Sequence, residues 1–176
     1  MAERVAHAGL TQAIARRRVP LGFGAAVVAL VFARPTWSSW LIGLAVALIG
    51  EGIRLWAAGH LEKSREVTQS GPYRWARHPL YVGSSLIALG VIVAARHPGV
   101  TIVTIVYMVT TLTAAVRTEE AFLRAAFGDA YDRYRTAAGL PVTRRFSVAR
   151  VRRNREHRAA CGLLAGFGLL ALKVLL

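Results

Sequence analysis

The feature that most constrains the fold is a series of long apolar runs with arginine-rich stretches between them. Five runs stand out, at residues 19–33, 37–56, 80–95, 100–116 and 159–176. Each approaches the roughly 20 residues that an apolar helix needs to cross a hydrocarbon layer about 30 Å thick. Lipid offers the backbone no hydrogen-bond partner, so such runs must satisfy their own amides as helices. The pattern predicts an all-α, polytopic helical membrane protein with about five transmembrane helices. A soluble core of this size would show polar interruptions at amphipathic spacing instead. The first run is short for a full span. Either the polar arm before it, residues 1–18, extends the helix, or the helix sits shallow. The chain of 176 residues is expected to form a single membrane-embedded domain.

The formal charge of +14 raises the question of nucleic acid. Its arginines lie between apolar spans, however, where topology already accounts for them, so no nucleic-acid partner is expected. One cysteine, Cys161, excludes an intrachain disulfide and a Cys-rich metal site, and packing beside the last run suffices for it. Only His60, His78 and the glutamates lie near one another, without compact metal-ligand spacing, so no metal is expected. The first run is followed by Arg34-Pro35 rather than a secretory cleavage site.

Charge also orients the chain. The segments on one side carry Arg4, Arg16, Arg17, Arg18, Lys63, Arg65, Arg74, Arg77 and the many arginines from Arg117 to Arg158; the opposite turns carry only Arg34 and Arg96. Positive-inside bias places the N-terminus and both polar blocks in the cytoplasm and, with five runs, the C-terminus outside. Lys173 can snorkel to the outer interface. The Arg- and Ala-rich composition points to a high-GC bacterium and hence to its inner membrane.

Local signals set the connections. Pro35 ends the first helix. Trp37 and Trp40 fit an interfacial belt at one end of the second run and Trp56 at the other. Gly43 and Gly50 permit close helix contact. Glu51 and Arg54 are costly in lipid and should face protein, the interface or a cavity, although snorkelling of Arg54 with local pairing fits as well. The turn Arg96-His97-Pro98-Gly99 makes its flanking helices antiparallel neighbours. It therefore returns Glu119-Glu120 to the side that Arg77-His78 left. Residues 119–134 should be at least partly helical, with Phe122, Leu123, Ala126 and Phe127 on one face, and Leu140-Pro141 breaks that segment.

Two polar blocks carry the chemistry. In the first, residues 70–83, His78 stands at a helix start with Pro79 placed as the first helical residue. Backbone N–H groups there favour an anionic group, and Arg77 can bind a carboxylate. Tyr81, three residues on, shares a helix face with His78. Tyr73 adds a hydroxyl or a stacking surface. In the second block, Glu119 and Glu120 can pair with a ligand amine or sulfonium, or with Arg77. Together these groups suit a small zwitterionic ligand beside a lipid phase. Plainer roles fit too: Gly71-Pro72 as a turn, His78 as a cap, Tyr81 as an interface residue, and Glu119 as a complement to arginines.

Gly71-Pro72-Tyr73 followed by Arg77-His78-Pro79-Leu80-Tyr81-Val82-Gly83 resembles the signature of isoprenylcysteine carboxyl methyltransferases and related phospholipid methyltransferases. The second block resembles their other motif through Glu119-Glu120, Leu123, Phe127-Gly128, Tyr131 and Tyr134. The intervening apolar hairpin fits, as does the upstream stretch containing Arg54, Trp56, Ala57, Gly59 and Leu61. The resemblance covers about residues 40–146. Two features depart from it: the extra apolar run 159–176, and only two runs ahead of the Arg77-His78 block.

The resemblance implies an integral-membrane methyltransferase using S-adenosylmethionine, held by loops and helix ends at the cytosolic face. By carry-over, Tyr73, His78, Pro79, Tyr81, Glu119, Glu120 and Tyr131 are cofactor-binding candidates. Arg77, Glu119 and Glu120 are the catalytic candidates. Arg135 or Arg144 is implied as a contact to an anionic acceptor. The reaction implied is direct displacement on the sulfonium methyl carbon by a lipophilic acceptor: carboxylate, amine, phenol or thiol. A carboxylate needs no general base; an amine or phenol can use Glu119 or Glu120. The alternatives are a membrane NADPH-dependent sterol-type reductase and a non-enzymatic membrane scaffold or transport subunit. The sequence leaves the acceptor and the oligomeric state open.

Overall fold

A computed structural model describes residues 2–136 and 142–176; for residues 2–12, 15, 16 and 18 the description is of backbone alone. The described residues are helical and contain no strand. Helix α1 runs Ala2–Phe32, so the polar arm continues the first apolar run instead of lying apart from it. Helix α2 is Trp37–His60, α3 is Pro79–Ala95 and α4 is Pro98–Phe127. Two short helices follow, α5 at Asp129–Arg135 and α6 at Val148–Arg153, and then α7 at Glu156–Leu175. The expected break at Leu140-Pro141 lies outside the described residues.

Helices α2, α4 and α7 are long and apolar enough to cross a membrane; Val19–Phe32 and Pro79–Ala95 are shorter apolar stretches. The fold is that of a polytopic helical membrane protein. Its burial pattern agrees. The interior is built from small residues, with Ala47, Ala57, Ala58, Ala94 and Ala95 fully or almost fully buried, while Phe23, Ile49, Ile102, Val109 and Leu164 are exposed. Large apolar side chains directed outward suit a hydrocarbon solvent, and small ones inward let helix backbones approach.

Helices α2 and α3 show this most clearly. They are antiparallel, with Gly43 against Gly90 and Gly50 against Gly83. A Cβ on Gly50 would lie 2.6 Å from the Gly83 carbonyl oxygen, and one on Gly83 would lie 2.5 Å from that of Gly50. Expected contact at Gly43 and Gly50 is therefore observed, and its partners are the two glycines of α3, again seven residues apart.

The connections sort into two ends. At one end lie the turns 33–36 and 96–97 and the end of α7. There Thr36 and Ser39 form a capping box that starts α2. The Arg34 amide donates to the Ala95 carbonyl at 2.8 Å, and the Trp40 indole donates to the Phe167 carbonyl at 2.8 Å. A small core of Ala29, Ala33, Ala94, Val100, Phe167 and Leu170 sits beneath. At the other end lie the 61–78 connection, the starts of α3 and α7, the end of α4, and α5 and α6. Helix α4, at about 1.5 Å per residue, is some 45 Å long and overruns a hydrocarbon core of about 30 Å. Its last turns, with Glu119 and Glu120, project beyond the apolar run.

Candidate active site

His78 is the N-cap residue of α3, with Pro79 buried behind it as the first helical residue. The plain capping role is not what the side chain does, since it makes no cap hydrogen bond. Its ring instead stacks on Tyr81, centroids 5.5 Å apart and planes 25° apart. This is the i, i+3 neighbourhood of a helix face. From α4, Glu120 Oε1 reaches His78 Nε2 at 3.3 Å, and Glu119 Oε2 lies 3.7 Å from Nδ1. The Tyr81 hydroxyl donates to Glu119 Oε2 at 2.6 Å. Arg77, half-exposed, is 3.8 Å from Glu120 Oε1. The two blocks, 42 residues apart in sequence, thus converge on one interlocked set of charges.

The aromatic wall comes from the other segments. Gly71–Arg74 forms a short 3-10 turn in which Tyr73 is buried. Gly71 has φ 58°, and a Cβ there would meet the His60 ring at 2.5 Å, so the turn needs glycine. The Tyr134 hydroxyl donates to the Tyr73 carbonyl at 2.8 Å, tying α5 to this turn. Tyr131 is 1 % exposed. Gly128 (φ 43°) ends α4 and redirects the chain so that α5 returns toward the site.

The electrostatics follow from this packing. The paired carboxylates hold the His78 imidazole above its ordinary range: Glu119 contributes most, burial pulls the other way, and Glu120 adds to the rise. Burial, then the Glu119 charge, pushes the Tyr73 phenol far up. Tyr131 is raised by burial and by the facing Glu120. Tyr134 is pushed up to about 12, mainly by burial and then by Tyr131. The three tyrosines are therefore neutral hydroxyls at physiological pH.

Of the two implied acceptor contacts, Arg144 is committed elsewhere. It pairs with Glu66 at 2.7 Å and donates to the His60 carbonyl at 3.4 Å. Arg135 is exposed. Of the residues expected on one face of this segment, Phe122 and Ala126 are exposed, while Leu123 and Phe127 are half-buried.

Beside the site lies a cluster that sequence reasoning found only in part. Arg54 is held by Glu51 at 3.5 Å, by the Ser84 hydroxyl and by Glu156 of α7. Glu51 and Glu156 are 4 % and 6 % exposed. Of the placements left open for Glu51 and Arg54, the structure shows the protein-facing one, together with a third partner about a hundred residues away that no local signal near them announces. The available signal was a lone carboxylate inside the basic stretch 144–158. That stretch also has a second role. The Ser147 amide donates to the Gly59 carbonyl at 3.1 Å and Arg150 Nε to the same oxygen at 2.6 Å. Asn154 donates to the carbonyls of Ala58 and Leu61 at 2.9 and 3.1 Å. These bonds satisfy the free carbonyls at the end of α2, where basic groups also complement the helix dipole.

A family model described as phospholipid methyltransferase matches residues 21–130. The cobalt-zinc-cadmium resistance protein CzcN of Cupriavidus metallidurans is 36% identical over 89 residues, covering 49% of this chain and 40% of that protein. A probable protein-S-isoprenylcysteine O-methyltransferase from Oryza sativa, in both subspecies indica and japonica, is 32% identical over 119 residues, covering 60% of this chain and 62% of the relative. The chain spans less than two thirds of the length of these curated relatives. No solved structure matches it significantly.

Proposed function

Since the chain belongs to the phospholipid methyltransferase family, we propose that it transfers a methyl group from S-adenosylmethionine to a lipophilic acceptor at the cytoplasmic face of a bacterial inner membrane. The observation that carries this reading is the meeting of His78 and Tyr81 from α3 with Glu119 and Glu120 from α4 at one end of the bundle. The residues there fit the cofactor. It carries a sulfonium, an ammonium and a carboxylate; the site presents two carboxylates beside a half-exposed arginine.

Bound there, the cofactor supplies an electrophilic methyl carbon on a positively charged sulfur. Glu119 and Glu120 would complement its cations and Arg77 its carboxylate. Tyr73, His78, Pro79, Tyr81 and Tyr131 would form the wall around them. Little covalent work falls to the protein. Its contribution is to hold the acceptor in line and to preorganise charge. For an amine or phenol acceptor, Glu120 or Glu119 takes the proton. A site at a helix-bundle end, between water and lipid, serves a soluble donor and a membrane-dissolved acceptor together. The acceptor is a lipophilic molecule that presents a carboxylate, amine, phenol or thiol.

Titration calorimetry in detergent tests the reading. Wild-type protein should bind S-adenosylmethionine, and His78→Ala and Glu120→Ala should each weaken binding at least about tenfold, the loss expected for one charge-assisted contact of about 1.4 kcal/mol or more. Unchanged affinity in both variants overturns the assignment. Labelled cofactor incubated with a membrane-lipid extract then identifies the acceptor.

A further inference from the structure

The end of the bundle opposite the candidate active site carries a second concentration of charge. A cavity of about 380 Å³ opens there between the ends of α1 and α7 and the turns that follow α1 and α3. That volume falls within the roughly 300–1,000 Å³ of small-molecule sites. Its ionisable lining is wholly basic, Arg34, His97 and Lys173, set against apolar walls from Val31 and Phe32. Arg96 stands beside it, since the Arg34 amide bonds the Ala95 carbonyl and the Arg96 guanidinium reaches the Thr36 hydroxyl at 3.5 Å. No Asp or Glu occurs in residues 27–40, 92–104 or 167–176, the segments that meet here. Among the described residues, Arg34, Arg96 and Lys173 take part in no ion pair.

These cations differ in role. The Lys173 ammonium gives its hydrogen bonds to the carbonyls of Leu30, Val31 and Ala33 at 2.8, 2.8 and 2.9 Å, which closes the end of α1 and fixes a positive charge in the cavity wall. Arg34 and Arg96 are exposed. His97 Nδ1 is buried without a hydrogen-bond partner. The level in the membrane is marked by Trp37 and Trp40, packed edge to face at 5.9 Å, as indoles collect at the head-group plane.

We propose that this pocket, lined by Arg34, His97 and Lys173 and with Arg96 beside it, binds the phosphodiester head group of an anionic membrane phospholipid. An unpaired cationic cluster in a low-dielectric rim needs a counter-anion, and guanidinium groups match phosphate oxygens in fork geometry. The apolar walls favour a phosphate that carries acyl chains: Val31, Phe32 and Leu172 are exposed alongside and offer the chains a surface. The site is remote from the methyltransferase motifs and stands independently of the function proposed for them.

The test is thermal unfolding of the full chain in neutral detergent, followed by tryptophan fluorescence, with phosphatidylglycerol, phosphatidylcholine of the same acyl chains, or inorganic phosphate. Phosphatidylglycerol should raise the midpoint well beyond phosphatidylcholine, because a ligand bound only by the native state stabilises it. The double variant Arg34→Gln/Arg96→Gln should need at least about tenfold more phosphatidylglycerol for the same shift. Arg34→Lys/Arg96→Lys, which keeps both charges and loses the fork geometry, should respond more weakly than wild type and more strongly than the glutamine variant. Equal shifts with the two lipids overturn the proposal, as does an undiminished response in the glutamine variant. A shift fully reproduced by inorganic phosphate reassigns the pocket to a free anion and also overturns it. If the glutamine variant melts early without lipid, the lysine variant decides: a response to phosphatidylglycerol weaker than that of wild type supports the site, and an undiminished one rejects it.

Discussion

His78 concentrates the local physics of the candidate active site, because one ring touches both carboxylates of α4 and stacks on Tyr81. Its pKa in the folded chain lies above the ordinary value of 6.5. A group whose pKa is raised on folding binds its proton more tightly in the native state. Its contribution to stability is complete below the unfolded value and is lost as pH rises through the folded one. As pH rises from the unfolded value of 6.5 through the raised folded one, the wild type should therefore lose stability relative to His78→Gln, which does not titrate there. Melting curves of both proteins in detergent across this range are the measurement, and a constant difference between them removes the charged His78 from the account. The residue was conspicuous in sequence. Its tie to two specific carboxylates was not, because a contact across 42 positions leaves no local pattern.

At the scale of elements, α2 and α3 are joined by the absence of side chains. Gly83→Ala would put a methyl 2.5 Å from the Gly50 carbonyl oxygen and 2.6 Å from Arg54 Cγ. The overpacking should cost about 1–3 kcal/mol, outweighing the helix preference for alanine. Gly166 of α7 is the control, with nothing within 4 Å of the added carbon. There Gly166→Ala should be neutral or stabilising by up to about 1 kcal/mol. Equal midpoint changes for the two variants would contradict the tight antiparallel seam. Helix α7 shows what sequence reading at this scale left out. It read as an appended apolar run, yet its first residue, Glu156, is buried against Arg54 and its Lys173 closes α1.

At the scale of the whole molecule, the prediction concerns sidedness. Residues Ser38 and Asp129 are exposed at opposite ends of the bundle. With Cys161 first replaced by Ala, Asp129→Cys should react with a membrane-impermeant maleimide only after lysis. Ser38→Cys should react in intact spheroplasts. The reverse labelling would invert the membrane orientation and put the site on the wrong side for a cytoplasmic cofactor.

The amino-acid order alone determined the helical membrane class, the five apolar runs and the return of both motif blocks to one end. Each of these depends on composition over about 15 to 20 neighbouring residues and on short turns, which are local properties. Only tertiary structure decided that α7 reaches Arg54, that Arg144 is taken up by Glu66, and that the basic stretch 144–158 closes the end of α2. Those outcomes depend on which charge finds which partner once the helices have packed, and many arginines compete for few carboxylates. Sequence can present the competitors; the three-dimensional distances select among them.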